Sequence, residues 1–220
     1  MRPAKTTERL YMLRNLLAAA VVVLSSGCAY HAAPVSAPAV NIVSNFSTKI
    51  PGRWALVISD DVAQARREVR ATSHACSAHT YPISAGQAFD TSIRRTVEAV
   101  FESVVEPQSS LTIDALKAGG YAGQLSFRLS EFTPRISCAI GFWSGTCTAN
   151  VEVGFAAEVR NSKGAIVHNS STGGSKSSDG NAGGACEGGS AVLADATSRA
   201  TKDALERMAE RLSNATGLRP

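Results

Sequence analysis

The 220-residue chain predicts an α+β domain, an antiparallel sheet of about four to five strands with two amphipathic helices packed on one face. Three observations predict it. Residues 125–129 and 151–159 alternate apolar and polar side chains. One stretch before them and one after repeat apolar residues at helical spacing. The composition, 44% hydrophobic and 18% charged, is that of a globular domain and excludes a polytopic membrane protein, a coiled coil and a fully disordered chain. Aromatic residues make up only 6%, so an aliphatic core is expected.

The folded body is expected to begin near Pro51. Trp54-Ala55-Leu56-Val57-Ile58 is a short apolar run stopped by Asp60-Asp61, which suits a buried strand. Residues 67–83 leave room for one or two further strands. A helix follows over residues 84–107. Ser84 is placed to cap it, with Gln87 three residues on completing a capping box. Phe89, Ile93, Val97, Val100, Phe101 and Val104 form its apolar face, Arg94, Arg95, Glu98 and Glu102 fall largely opposite, and Pro107 ends it.

Residues 121–172 read as an antiparallel meander of three or four strands. Leu125, Phe127 and Leu129 alternate with Ser126, Arg128 and Ser130, and Val151, Val153, Phe155 and Val159 alternate with polar or small partners. Asn161-Ser162-Lys163-Gly164 is a turn, with a returning strand over 165–171. The glycine- and serine-rich run 173–190 predicts a flexible loop. A last helix is expected from Ser190 to Ser213, with Gly217 just beyond. Leu193, Ala196, Ala200, Ala204, Leu205, Met208 and Leu212 make its buried stripe, and the small residues there permit close approach to a sheet.

The first 27 residues predict a targeting leader. Arg2, Lys5, Arg9 and Arg14 form a basic region, and the apolar run Leu16–Leu24 is nine residues long, well short of the roughly 20 a spanning helix needs. Small residues and then Cys28 follow. Leu24-Ser25-Ser26-Gly27-Cys28 resembles the lipobox of bacterial lipoproteins, with Ser25 at the position three before the cysteine where Leu is usual. The resemblance implies cleavage before Cys28 and a lipid on its thiol. Ala29, where an Asp would retain the protein at the inner membrane, implies the outer membrane. Residues 28–50, with Pro34 and Pro38, read as a semi-extended tether between lipid and a single domain over 51–220.

The leader holds four of the 22 basic and one of the 18 acidic residues. That leaves 18 and 17, a net charge of +1 on the mature chain. No basic run survives, so no nucleic-acid partner is expected. With Cys28 lipidated, Cys76, Cys138, Cys147 and Cys186 remain, an even set that outside the cytoplasm suggests two disulfides with three possible connectivities. Cys138 and Cys147 flank a hairpin and are the expected local pair. Cys76 then joins Cys186 as a long-range staple.

Candidate chemistry is thin. His74, Cys76 and His79 carry zinc-ligand atoms, but their spacing matches no standard site and Cys76 is better used in a disulfide, so no metal and no cofactor is expected. The same disulfide removes a Cys/His nucleophile. Gly173-Gly174-Ser175-Lys176-Ser177 lacks the spacing of a phosphate loop, and Gly141-Phe142-Trp143-Ser144-Gly145 lacks that of a nucleophile elbow. Asp60-Asp61 at a strand end suits a solvated turn better than acid–base work. The segment Cys138–Cys147 stands out. A disulfide across its base would close a loop presenting Ile140, Phe142 and Trp143, either as partner-binding anchors or folded back on the domain's own sheet.

The order of elements resembles that of small periplasm-facing α+β accessory lipoproteins, such as the lipopolysaccharide-assembly lipoprotein. The expectation is a non-enzymatic, lipid-anchored accessory lipoprotein of the outer membrane. It faces the periplasm and supports an envelope assembly through protein contacts. A carrier for a lipid or glycan, using an apolar cleft between sheet and helices, is the alternative. An envelope hydrolase would need a convergent Ser/His/Asp or carboxylate cluster.

Overall fold

The computed structural model describes residues 32–141 and 144–219. The elements are β1 (Ile50–Ile58), α1 (Asp60–Ala63), β2 (Arg66–Arg70), β3 (Thr80–Ser84), α2 (Gly86–Val100), β4 (Phe101–Val105), α3 (Ile113–Ala118), β5 (Gly123–Ile140), β6 (Gly145–Asn161), β7 (Ile166–Asn181), α4 (Gly189–Ser213) and a 3-10 turn at Thr216–Leu218. One sheet holds five strands in the order β4-β1-β5-β6-β7, and β2 and β3 form a separate antiparallel pair.

The five-stranded sheet is mixed, which corrects the expected antiparallel one. β1 lies between β4 and β5 and runs parallel to both, while β5, β6 and β7 are antiparallel in turn. The chain passes from β1 to β4 through α2, and a helical crossover returns it in the same direction. Alternation in a sequence reports one buried face, not the direction of the neighbouring strand.

The two long helices bury the stripes their periodicity predicts, Phe89, Ile93, Val97 and Val100 on α2 and Leu193, Ala196, Ala200, Ala204, Leu205, Met208 and Leu212 on α4. Phe89 meets Phe132 and Phe155 edge-on at 5.3 and 5.4 Å, an aromatic node in the core. Each such fully buried side chain stabilises the fold by about 1.5–3 kcal/mol. The short helices α1 and α3 lie outside the expected two-helix layout, while β2 and β3 are the two further strands for which residues 67–83 left room.

Three boundaries differ from the sequence expectation. The first helix stops at Val100, and residues 101–105 form β4 instead of its last turn. Phe101 leaves the helix with extended geometry, is buried, and packs edge-on against Trp54 at 5.3 Å, while the β-branched Val104 and Val105 pair with β1. Ser84 ends β3 rather than capping α2. The N-cap is Ala85, without a side-chain cap.

The third difference is the glycine-rich run. Most of it is strand, because β7 continues to Asn181 and only residues 182–188 connect it to α4. Gly174 explains this. A Cβ there would stand 2.1 Å from the Ala200 carbonyl oxygen, so glycine lets α4 lie against the strand. Thr172 Oγ1 donates to the Ala204 carbonyl at 2.9 Å in the same contact.

The tether segment has no regular secondary structure from residue 32 to Ser44 but is not free of the domain. Val35, Val40 and Ile42 pack against the core. Ser36 bonds Ser198, the Asn41 amide donates to Glu206 and the Asn45 amide to Asn214. Residues 36–45 therefore run alongside α4 in the helix's own direction.

Candidate functional site at the stapled hairpin end

β5 and β6 are long strands that pair from Gly123↔Asn161 to Ile140↔Gly145, so their hairpin tip lies at one end of the molecule. Cys138 faces Cys147 in this register and the two form a disulfide with Cα atoms 4.0 Å apart. The Gly141 amide donates to the Ser144 carbonyl at 2.7 Å and closes the turn. Ile140 is 60% exposed. Phe142 and Trp143 lie outside the described residues.

The second disulfide, Cys76–Cys186, spans 110 residues and sits beside the first. The sulfurs of Cys76, Cys138 and Cys147 are within 4.8 Å of one another. Cys76 and Cys186 both hold φ of 62°, a left-handed conformation costly for a side-chain-bearing residue. Ser73 Oγ accepts from the Cys138 amide at 2.7 Å, which ties the loop before Cys76 to the hairpin. The Tyr81 hydroxyl donates to the Cys186 carbonyl at 2.9 Å. Burial, and secondarily the Glu187 carboxylate, hold the Tyr81 phenol above its ordinary value of 10.0. The sequence reading missed Ser73 and Tyr81 because their partners are far away in the chain.

The group of potential metal ligands found among the described residues is the sulfur cluster itself, and its three cysteines are in disulfides; His74 and His79 do not belong to it. His79 stacks on Tyr81 at 6.5 Å. Asp61 accepts from Ser59 Oγ and from the Leu129 amide, so it pins α1 to β5. His168 Nε2 is 3.2 Å from Ser170 Oγ on β7. Burial first and the Arg211 charge second push this imidazole below its ordinary value of 6.5.

The layer between the sheet and the helices is filled by Phe89, Phe155, Leu193, Leu205 and their neighbours, all fully buried, which argues against a carrier cleft there. A cavity of about 210 Å³ lies between α3 and the outer face of β5 and β6, lined by Leu111, Leu116, Gln124, Glu158 and Arg160. Gln124 spends its amide on Leu111, Ser110 and Ser126. No helix among the described residues is long and apolar enough to cross a membrane.

No protein-family model matches the sequence. No curated protein matches it either. Solved structures resemble it in outline. A protein from Xanthomonas campestris is 13% identical with a TM-score of 0.45, over 82% of this chain and 92% of that one. A hemagglutinin homologue from Helicobacter pylori is 8% identical with a TM-score of 0.46, over 82% and 92%. A minor lipoprotein from Acinetobacter baumannii is 10% identical with a TM-score of 0.37, over 79% and 93%. With every score below 0.5, these likenesses transfer no role to this chain.

Proposed function

We propose that this chain is a lipid-anchored accessory lipoprotein of the bacterial outer membrane, facing the periplasm. It supports an envelope assembly by protein contact rather than by catalysis. The observation that carries this is the leader ending in Leu24-Ser25-Ser26-Gly27-Cys28, a short apolar run followed by small residues and a cysteine. Two disulfides suit the same oxidising compartment. The test is crosslinking in intact cells, with captured partners identified by mass spectrometry. The expected result is a discrete envelope protein that is captured by the wild type and lost with Cys28→Ser. Adducts with cytoplasmic proteins alone would contradict the proposal.

A further inference from the structure

We infer that the stapled hairpin end is the face this protein lays against a lipid bilayer, with Ile140 at the interface. The inference rests on the anchor proposed at Cys28. It follows from the path of the chain, which that anchor alone does not dictate. Residues 45, 41 and 36 meet α4 at Asn214, Glu206 and Ser198 in turn. Followed backwards, the segment climbs from the C-terminal end of α4 toward its N-terminal end. That end is shared by the Cys186 loop and the β5–β6 tip, since the Ala182 amide donates to the Gly145 carbonyl.

Eight residue steps separate Ser36 from Cys28, a reach of about 26 Å when extended. The start of α4 is about 14 Å beyond Ser198 at helical rise. The described segment therefore heads toward the hairpin end, and the chain between Cys28 and Ser36 is long enough to carry the anchor past it. To head for the opposite end the chain would have to reverse and run back over about 22 Å, some three-fifths of the helix, against about 14 Å ahead.

The hairpin end is also built for an interface. From Ile136 to Asn150 the hairpin carries no charged residue, and the acids beside it are held within the fold, Asp179 by the Thr148 hydroxyl and Glu187 by the Ala185 amide. Ile140 is exposed on an arm whose strands are joined by Cys138–Cys147, so little order is lost on docking. The opposite end exposes Ile166 too, but beside Arg160 and Lys163 and on the side from which the segment leads away. One isoleucine cannot hold a domain on a membrane. The acyl chains supply retention and the tip sets orientation.

The test places a photoreactive benzophenone amino acid at position 140 or at position 166 of the full chain, in cells carrying labelled phospholipid. Intact mass of the purified protein reports lipid at Cys28 separately. Phospholipid adducts from position 140 and their loss at position 166 support the inference. With Cys28 lipidated, adducts from 166, from both positions, from neither, or only protein adducts at 140 overturn it while the anchor stands. Should Cys28 carry no lipid, the anchor fails. The chain bearing a histidine tag in place of residues 1–28 is then held on phosphatidylethanolamine–phosphatidylglycerol vesicles containing a nickel-chelating lipid. The same contrast between positions 140 and 166 decides there. Unchanged thermal unfolding of both labelled proteins excludes misfolding as the cause.

Discussion

Two adjacent glycines on β7 give a sharp test of how the domain is built. Gly174 is buried under α4, and a Cβ there would stand 2.1 Å from the Ala200 carbonyl oxygen and 2.9 Å from the Ala204 amide nitrogen. Both are helix backbone, so Gly174→Ala must push α4 away by about 1 Å, at an overpacking cost of about 1–3 kcal/mol. The same shift stretches the 2.9 Å bond from Thr172 Oγ1 to the Ala204 carbonyl, worth about 1 kcal/mol more. A total near 3 kcal/mol lowers the melting temperature by about 6–12 °C for a domain of this size. Gly173 faces outward, and its Cβ would lie 3.7 Å from the Val153 carbonyl oxygen, an ordinary contact. Gly173→Ala should therefore be neutral or raise stability by up to about 1 kcal/mol, since glycine is a poor strand residue. Calorimetry and urea unfolding of the two oxidised variants make the comparison. Equal melting temperatures would refute the close helix–strand contact and restore a flexible loop.

Removing Cys76–Cys186, which closes 110 residues, should cost about 4.8 kcal/mol by loop entropy, against about 2.6 for Cys138–Cys147, which closes 9. Urea unfolding of the paired alanine variants checks the order. Because both residues of the long staple hold a φ of 62°, Cys76→Gly with Cys186→Gly should be more stable than the alanine pair by about 1 kcal/mol. Phe89→Ala empties the node between Phe132 and Phe155 and should cost about 3–5 kcal/mol in the same assay. The imidazole of His168 is depressed below 6.5, so the unfolded chain binds the proton first. Stability should fall as pH drops below 6.5 toward its folded value, and His168→Gln should flatten melting temperature against pH in that window.

Periodicity made much of this fold legible. The stripe from Leu193 to Leu212 and the alternation from Val151 to Val159 each report a face that the element buries on its own pattern. What stayed hidden depends on remote partners. Val100, Phe101 and Val104 fit a helix as well as a strand, and the free edge of β1 decides between them. Gly173 and Gly174 have loop composition, and only the approach of α4 makes them strand. Val35, Val40 and Ile42 are apolar residues spaced through a proline-containing segment, a signal of docking masked by the tether composition.

At the candidate site, Cys138 and Cys147 were legible because the hairpin itself opposes them. The contact between the two disulfides was not, because it needs the fold to bring Cys76 beside β5. His74 and His79 looked like ligands on residue type alone, and the site was decided by where the sulfurs went.

The most direct measurement of the central claim is palmitate labelling of the protein in growing cells, read with its intact mass. Label is expected on a chain that begins at Cys28 and none on Cys28→Ser. An unlabelled protein that still carries residues 1–27 would contradict it.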